Sequence, residues 1–230
     1  MSNNEVKKSL NRKARILIVD DHPIFTMGMI ELINQETDLV VCGSADDVSE
    51  ARRAIKDLKP DLIILDITLK TGNGFDLIEE IVRATSNLPI LVLSMHDETL
   101  WAERCLRAGA KGYLMKQEAP ESVVAAIGKI LTGQIHVSDK IMTNILGQMT
   151  RQPNSHIPPM NRLTDRELQV LQLIGTGLTT RQIASRMNLS IKTIGTYRER
   201  IKEKLGLQSG TELLRFAVLW LESPKKILNG

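Results

Sequence analysis

Five short, wholly apolar runs recur between residues 15 and 133, and they constrain the fold more than any other feature of the chain. They are Ile16–Val19, Leu39–Val41, Leu62–Leu65, Ile90–Leu93 and Tyr113–Met115. Because no polar residue alternates within a run, each fits a strand that is buried on both faces of a parallel sheet. Stretches of helical length separate the runs. This alternation predicts a doubly wound α/β domain with a five-stranded parallel sheet over residues 15–133.

The chain after residue 133 has a different pattern, without strand signals. A short amphipathic helix is expected near residues 138–149, followed by a segment with three prolines that we interpret as a linker. Four helical segments then follow in residues 162–222, and their predicted first residues or caps are Thr164, Thr180, Ser190 and Ser209. A tight turn at 188–190 separates the second and third segments, as in a helix-turn-helix. We therefore predict an N-terminal extension (1–14), the α/β domain (15–133), a linker with a short helix (134–161) and an all-α domain (162–222).

The basic residues are concentrated in the C-terminal part of the chain. From Met160 to the end there are 12 Lys and Arg against 6 Asp and Glu, a net charge of +6, whereas the rest of the chain is net −3. A basic domain joined to a mildly acidic one suggests that only the basic domain meets a polyanion. Aromatic residues make up 3% of the chain, which weighs against a platform that stacks single-stranded bases.

Nothing in the sequence predicts a membrane or secreted protein. The longest apolar run, Phe216–Leu221, is far shorter than the roughly 20 residues of a membrane-spanning helix. The first residues of the chain are polar and basic, without the apolar core of a secretory signal. Cys42 and Cys105 lie far apart, with no pattern of a disulfide framework or metal site. We expect a cytoplasmic protein without a membrane partner.

Polar side chains follow four of the predicted strands, at the point where each strand ends. Asp20 and Asp21 follow the first strand, Asp66 the third, Ser94 the fourth and Lys116 the fifth. The carboxyl ends of parallel strands meet at one edge of the sheet, where ligands bind in open α/β folds. Crowded carboxylates repel one another unless a cation binds between them. A site with a small number of hard oxygen ligands is typical of Mg²⁺. An aspartate nucleophile beside a lysine and a hydroxyl then predicts a phosphoryl-transfer site.

Other chemistries fit these positions less well. A single Asp after a strand is usually a helix cap or turn residue, but capping does not account for all of these groups together. The phosphate-binding patterns GxxxxGK[ST] and GxGxxG after a strand, and the metalloprotease pattern HExxH, are missing from the sequence. An aspartate-based hydrolase would need a second Asp two residues after the nucleophile, and that position is Thr68.

These motifs resemble the receiver domain of bacterial response regulators over essentially all of residues 15–133. The resemblance is carried by Ile18-Val-Asp-Asp-His-Pro23, Leu65-Asp-Ile-Thr68, Asn73-Gly74, Leu93-Ser94 and Gly112-Tyr-Leu-Met-Lys116. It implies that Asp66 accepts phosphate from a sensor histidine kinase and that Lys116 contacts the phosphoryl group. It also implies that Asp20, Asp21, Asp66 and the backbone carbonyl of Thr68 hold Mg²⁺. Ser94 and Tyr113 match the paired switch positions of the family.

Two positions depart from the usual receiver pattern. Lys70 stands where most receivers have a proline, four residues after the phosphoacceptor, and adds a charge beside the site. Gln117 follows Lys116, where many receivers have a proline in a cis bond. A cis bond before a residue other than proline costs about 3–4 kcal/mol, so we expect this loop to differ. Neither departure removes a phosphoryl-transfer group.

The all-α domain resembles the LuxR-type helix-turn-helix over residues 162–219. The matching motifs are Leu163-Thr-Asp-Arg-Glu167, Ile183-Ala184, Ser190-Ile-Lys-Thr-Ile194 and Lys204-Leu-Gly206. With the receiver in front, the whole chain is similar to NarL/FixJ-type response regulators. The resemblance implies a transcription regulator rather than an enzyme. Its expected partners are double-stranded DNA, a cognate kinase, a second copy of the chain when phosphorylated, and RNA polymerase.

The predicted recognition helix, Ile191–Leu205, has two distinct faces at 100° per residue. Ile194, Ile201 and Leu205 cluster on one side, with Tyr197 nearby, and this side should be buried. The DNA-binding candidates, mostly on or beside the opposite face, are Lys192, Thr193, Gly195, Thr196, Glu199, Arg200 and Lys202. Glu199 has two interpretations. It either accepts a hydrogen bond from a cytosine amino group or forms a solvated salt bridge within the helix, for example with Lys202.

Two other functions compete with a phosphorylation-controlled transcription factor. One is a protein-binding adaptor whose helical domain does not touch DNA, and a loss of DNA binding between 50 and 200 mM salt would argue against it. The other is a constitutive regulator with an inert receiver, which a phosphorylation assay would test. The basic all-α domain and the complete acidic site favour the transcription factor over both.

Overall fold

The computed structural model describes residues 12–69, 71, 73–85, 87–150 and 159–222. The chain divides into two compact units, Met1–Ile145 and Leu146–Gly230. Among the described residues, no helix has both the length and the apolar character needed to cross a bilayer.

The first unit contains the predicted parallel sheet of five strands. The strands are β1 (Ala14–Val19), β2 (Leu39–Ala45), β3 (Leu62–Leu65), β4 (Ile90–Ser94) and β5 (Gly112–Met115). They lie in the order β2-β1-β3-β4-β5, and every neighbouring pair is parallel. The order reverses between β1 and β3, and the crevice at such a switch point is where open α/β sheets bind ligands. The doubly wound α/β fold is confirmed.

Helices cover both faces of the sheet. They are α1 (Pro23–Asn34), α2 (Val48–Leu58), α3 (Gly74–Ala84), α4 (Glu98–Ala108) and α5 (Pro120–Leu131). Met29 of α1 and Ile127 of α5 share one apolar cluster with Ile16 of β1. Leu17 and Ile63 point to the opposite face, because strand side chains alternate, and they too are fully buried. Two covered faces are the reason why the strands read as uninterrupted apolar runs.

A short segment after α5 extends the hydrogen bonding of β5. His136 forms a parallel bridge with Gly112, and its carbonyl accepts a hydrogen bond of 2.9 Å from the Tyr113 N–H. A side chain at Gly112 would collide with the His136 carbonyl and with Ile130, so glycine permits this close approach. The start of the predicted linker is therefore fastened to the strand that carries Tyr113.

The remaining helices follow the predicted pattern closely. They are α6 (Asp139–Thr150), a 3₁₀ turn (Pro159–Arg162), α7 (Asp165–Gly175), α8 (Thr180–Arg186), α9 (Ile191–Leu205) and α10 (Gly210–Glu222). Thr180 is the first residue of α8, as predicted. Thr179 is the cap and forms a capping box with Gln182, because its hydroxyl accepts the hydrogen bond of the Gln182 N–H. Asn188 adopts a left-handed conformation (φ 53°) in the turn between α8 and α9.

One buried ion pair joins α7 to α9. The Glu167 carboxylate accepts a hydrogen bond of 2.7 Å from the Thr164 N–H, which completes the predicted capping box. The same Oε2 atom lies 2.6 Å from Lys204 Nζ. Although burial opposes ionisation, Lys204 and Thr164 together hold the pKa of Glu167 below its usual value. The pair therefore fixes α9 against the helix that begins the domain.

We predict that Glu167→Gln destabilises the helix-turn-helix unit by about 1–2 kcal/mol at pH 7. Glutamine can still accept the Thr164 N–H, so the change removes mainly the pair with Lys204. Because the folded-state pKa of Glu167 is lowered, the difference from wild type is present at neutral pH. It is lost as the pH falls through the lowered folded-state pKa and the carboxylate becomes protonated. The difference in the free energy of unfolding is measured by urea unfolding followed through Trp220 fluorescence. Wild type and variant both carry Trp101→Phe for this experiment.

Glu212→Gln is the matched control for this prediction. Glu212 also reaches back to a backbone N–H, that of Gln208 at 2.7 Å, but its side chain is exposed and no lysine pairing is described for it. The control should change stability by less than about 0.5 kcal/mol. Equal effects of the two substitutions, or a Glu167→Gln effect that does not shrink as the pH is lowered, would contradict the role of the pair with Lys204.

Candidate functional site

The carboxyl edge of the sheet brings together all five polar groups that follow the strands. Asp20 and Asp21 follow β1, Asp66 follows β3, Ser94 ends β4 and Lys116 follows β5. All three aspartates are at most 7% exposed, and Ser94 is fully buried. Their separation in sequence is large, so that only the parallel arrangement of the strands makes them neighbours.

Lys116 is the buried cation of this acidic pocket. Its Nζ lies 2.6 Å from Asp20 Oδ2 and 2.6 Å from Asp66 Oδ2. The ammonium also lies 4.6 Å from the centroid of the Phe25 ring, a cation–π contact that holds the side chain over the pocket. Among the described residues one lysine faces three carboxylates, so these groups together keep negative charge. Burial raises the pKa of Asp66 and outweighs the opposing effect of Lys116.

Asp21 provides the test of whether a divalent cation fits. Its Oδ1 atom is buried and receives no hydrogen bond from the described residues. His22 Nδ1 lies 2.9 Å from this oxygen, but the hydrogen bond of Nδ1 is formed with Asp20 Oδ1, at 3.0 Å. A buried carboxylate oxygen without a partner is costly, and a hard cation would supply the missing partner. The aspartates therefore fit Mg²⁺, the ion that such a pocket typically binds in receivers.

Thr68 closes the pocket from the loop after β3. Its N–H donates a hydrogen bond of 2.9 Å to Asp66 Oδ1, which fixes the orientation of that carboxylate. Its hydroxyl shares a hydrogen bond of 2.7 Å with His96 Nε2. Lys70, predicted to add a charge here, lies outside the described residues. None of the described peptide bonds is cis, so the bond between Lys116 and Gln117 is trans.

Ser94 and Tyr113 are linked through the backbone of His96. The His96 N–H donates to Ser94 Oγ at 3.3 Å, and the Tyr113 hydroxyl donates to the His96 carbonyl at 2.9 Å. The Tyr113 ring is only 1% exposed, and this burial raises its pKa well above the usual value. The two switch candidates therefore share one residue, and the tyrosine ring already points inward.

Three residues of the pocket were not singled out from the sequence. His22 and Phe25 belong to the segment after β1, and His96 lies in the loop after β4. Burial is the main reason that the pKa of His96 falls to about 4, so the ring is neutral at physiological pH. The centroid of the His96 ring lies 5.1 Å from the centroid of the Trp101 ring. His22 was visible in the Asp-Asp-His string, whereas His96 gave no signal, because its partner Thr68 is 28 residues away.

The recognition helix α9 exposes most of the residues proposed for DNA contact. Ile194 and Ile201 are fully buried, whereas Tyr197 and Leu205 are half-buried. Lys192, Thr196, Glu199 and Arg200 are exposed, and Thr193, Gly195 and Lys202 are partly covered. The hydroxyl of Thr193 is bonded to Ser190, and that of Thr196 donates to the Lys192 carbonyl at 3.1 Å. Glu199 forms a 2.9 Å salt bridge with Lys202, as its second interpretation anticipated.

A receiver-type acidic pocket on a parallel sheet, together with a helix-turn-helix unit, defines a two-component response regulator. Residues 16–128 match the family of response regulator receiver domains, and residues 161–217 match the bacterial regulatory proteins of the luxR family. The chain therefore belongs to the response regulators with a LuxR-type DNA-binding domain, the NarL/FixJ family. This family is a class of transcription regulators rather than a class of enzymes.

Known proteins resemble the chain over nearly its whole length. The oxygen regulatory protein NreC of Staphylococcus carnosus is 30% identical over 220 residues, covering 94% of this chain and 99% of NreC. A structure of RcsB from Salmonella typhimurium is 26% identical, covers 90% of this chain and 98% of RcsB, and superposes with a TM-score of 0.70. RcsB from Salmonella enterica serovar Typhimurium, bound to promoter rprA in the presence of phosphomimetic BeF3⁻, is likewise 26% identical. The match covers 90% of this chain and 99% of that RcsB chain, with a TM-score of 0.66.

Proposed function

We propose that a sensor histidine kinase phosphorylates this regulator on Asp66, and that phosphorylation controls its dimerisation and sequence-specific binding to double-stranded DNA. The observation that carries the proposal is the buried convergence of Asp66 with Lys116 and Ser94 at one edge of the sheet. The protein would act in the cytoplasm, at promoters and with RNA polymerase as a further partner. RcsB, a relative of similar fold, has been described on promoter DNA.

The chemistry is a transfer of one phosphoryl group to Asp66. A carboxylate oxygen of Asp66 attacks the phosphorus of a phosphohistidine, the N–P bond breaks, and the histidine leaves with the electron pair. Lys116, already 2.6 Å from the carboxylate, neutralises charge on the transferred oxygens. Ser94 lies beside them and can donate its hydroxyl to one of these oxygens. Mg²⁺, held by Asp20, Asp21, Asp66 and the Thr68 carbonyl, would supply further charge neutralisation when bound.

The proposed route of the signal runs from Ser94 through His96 to Tyr113. When a phosphoryl oxygen accepts a hydrogen bond from the Ser94 hydroxyl, the Ser94 side chain shifts. It then pulls on the loop that contains His96, because the His96 N–H donates to Ser94 Oγ. The Tyr113 hydroxyl is bonded to the carbonyl of that loop, and the Tyr113 N–H is bonded to His136. Because the Tyr113 ring is already buried, phosphorylation would stabilise this inward state and the attached start of the linker.

DNA recognition would use the exposed side of α9. Lys192 lies at the N-terminal end of the helix, where recognition helices contact base edges, and Thr196 follows one turn later. Arg200 and Lys202 add positive charge for the phosphate backbone. The remaining candidates, Thr193 and Gly195, lie beside this face and allow close approach of the backbone. The three-proline segment of the linker, residues 151–159, lies outside the described residues except for Pro159, and it would let the domain pair with a second copy.

We predict that a small-molecule phosphodonor adds one phosphoryl group to the protein and that Asp66→Asn abolishes the reaction. Omission of Mg²⁺ should slow it, because charge neutralisation would then depend on Lys116 alone. Intact-mass spectrometry of the full chain measures the product. Asp57→Asn, a change at an exposed carboxylate of α2, is the matched control and should be labelled like wild type. Labelling of Asp66→Asn to the wild-type level would remove Asp66 from the proposed role.

We also predict that phosphorylation increases self-association. Light scattering of the full chain with phosphodonor and Mg²⁺ should give a mass near that of a dimer, against a monomer without them. Asp66→Asn should stay monomeric under both conditions. The same mass and shape with and without phosphodonor would contradict the link between phosphorylation and dimerisation.

A third prediction separates the two interpretations of Glu199. If Glu199 reads a cytosine, Glu199→Ala relaxes the preference at one base pair, with a loss of about 1–3 kcal/mol in discrimination. If it only pairs with Lys202, the preferred sequence is unchanged, and binding tightens slightly on all DNA. Selection from randomised duplexes with wild type and Glu199→Ala measures the difference. Glu203→Ala, which removes an equal charge nearer the end of α9, controls for electrostatics alone.

A further inference from the structure

We propose that the receiver unit binds a small organic anion, an apolar body with one acidic group, in a cavity between α2 and α3. The cavity has a volume of about 600 Å³, within the range of about 300–1,000 Å³ that is typical of small-molecule sites. Asp61, which directly precedes β3, lines it. The acidic pocket lies at the carboxyl end of the same strand, so the cavity is a separate site that the phosphorylation chemistry does not use.

The inner wall of the cavity is apolar. Leu77 and Ile81 of α3 line it and are buried. Ile55 of α2 and Leu88, close to the start of β4, also line it and are half-buried. A ligand that covers this wall removes apolar surface from water, on the protein and on itself, which favours binding. The wall therefore fits the apolar body of the ligand.

A bidentate salt bridge joins the two helices at the cavity. Arg52 Nε lies 2.9 Å from Glu80 Oε1, and Arg52 Nη2 lies 2.8 Å from Glu80 Oε2. Both residues line the cavity. Since two parallel hydrogen bonds of this kind fix the relative orientation of the two side chains, the bridge connects α2 to α3. It also neutralises the charge of Glu80.

Two lysines of the cavity remain without an acidic partner among the described residues. Asp61 is already engaged, since its Oδ2 accepts a hydrogen bond of 2.8 Å from the Arg15 N–H and lies 3.4 Å from Arg12 Nη2. Lys56 and Lys59 line the cavity and are exposed, and no carboxylate of the described ranges pairs with either. Positive charge beside an apolar wall attracts and orients an anion. The lysines therefore fit the acidic group of the ligand.

The backbone at Lys59 is a second indication of a site. Lys59 directly follows α2 and adopts a left-handed conformation, with φ 47°. Glycine is favoured at this position after a helix, because a side chain is strained there. Backbone strain of this kind is concentrated at ligand sites. A strained lysine that lines a cavity is therefore consistent with a role of its side chain in binding.

Titration of the full-length protein with the fluorescent anion 8-anilinonaphthalene-1-sulfonate tests the proposal. The matched neutral probe is N-phenyl-1-naphthylamine, which has the same aromatic body without the sulfonate. The double variant Lys56→Gln, Lys59→Gly removes both charges, and glycine relieves the left-handed strain, so the fold should be retained. It should weaken binding of the anion at least tenfold and binding of the neutral probe less than twofold. Lys129→Gln, at an exposed lysine in the last turn of α5, is the control and should change neither.

A second variant tests the apolar part of the site. Ala84 lines the cavity, and Ala84→Phe should weaken binding of both probes at least fivefold by filling it. Amide shifts in NMR spectra on addition of the anion should fall on α2, α3 and the residues that line the cavity. Unchanged anion binding by the double variant, an equal loss for both probes, or shifts confined to other elements would overturn the proposal. Exclusion of the anion at higher protein concentration would show that a second copy covers the cavity, and would overturn it as well.

Discussion

Repulsion among three buried carboxylates is the constraint around which the receiver domain is organised. Asp20, Asp21 and Asp66 lie at one edge of the sheet, where like charges at short distance are unfavourable unless a cation joins them. Lys116 joins two of them at 2.6 Å, and Asp21 keeps an oxygen without a partner. Burial of the apolar strands offsets the free-energy cost of this repulsion. Because the strands are buried on both faces, they also fix the backbone from which the aspartates project. Unsatisfied negative charge favours the binding of a cation, and a cation together with Lys116 can then neutralise the charge of a phosphoryl group.

The same strands connect the pocket to more distant parts of the receiver. His96 contacts Thr68 through its ring, and its backbone contacts both Ser94 and Tyr113. Since the ring stays neutral, it serves as a hydrogen-bonding element rather than as a charge. Tyr113 then bonds to His136 at the beginning of the linker segment. A short series of hydrogen bonds therefore runs from the acidic pocket to the chain that leaves the receiver.

The DNA-binding unit depends on a different interaction, the buried pair between Glu167 and Lys204. This pair attaches the C-terminal part of α9 to the start of α7, while Ile194 and Ile201 pack into the core. The N-terminal part of α9 thereby keeps Lys192 and Thr196 on the solvent side. Glu199 is bonded to Lys202 in the free protein, so a base contact by Glu199 would have to replace that salt bridge.

Much of this arrangement was determined by the sequence alone, because it depends on local pattern. Apolar runs without alternation defined the five strands, and the residues that end them defined the acidic pocket. Thr164 with Glu167, and Ser190 before α9, specified helix starts through hydrogen bonds that span only three residues. Thr180 likewise marked the first residue of α8, and the adjacent Thr179 supplies its cap.

The tertiary structure decided the contacts between segments that are far apart in the chain. His96 meets Thr68, and Lys116 stacks on Phe25, only because the loops after different strands converge at one edge of the sheet. The side-chain direction of His22 and the inward position of Tyr113 also depend on what surrounds them, and periodicity carries no information about this. Local hydrogen bonding and hydrophobic spacing can be read from neighbouring residues, whereas the composition of a pocket depends on how the strands are ordered in space.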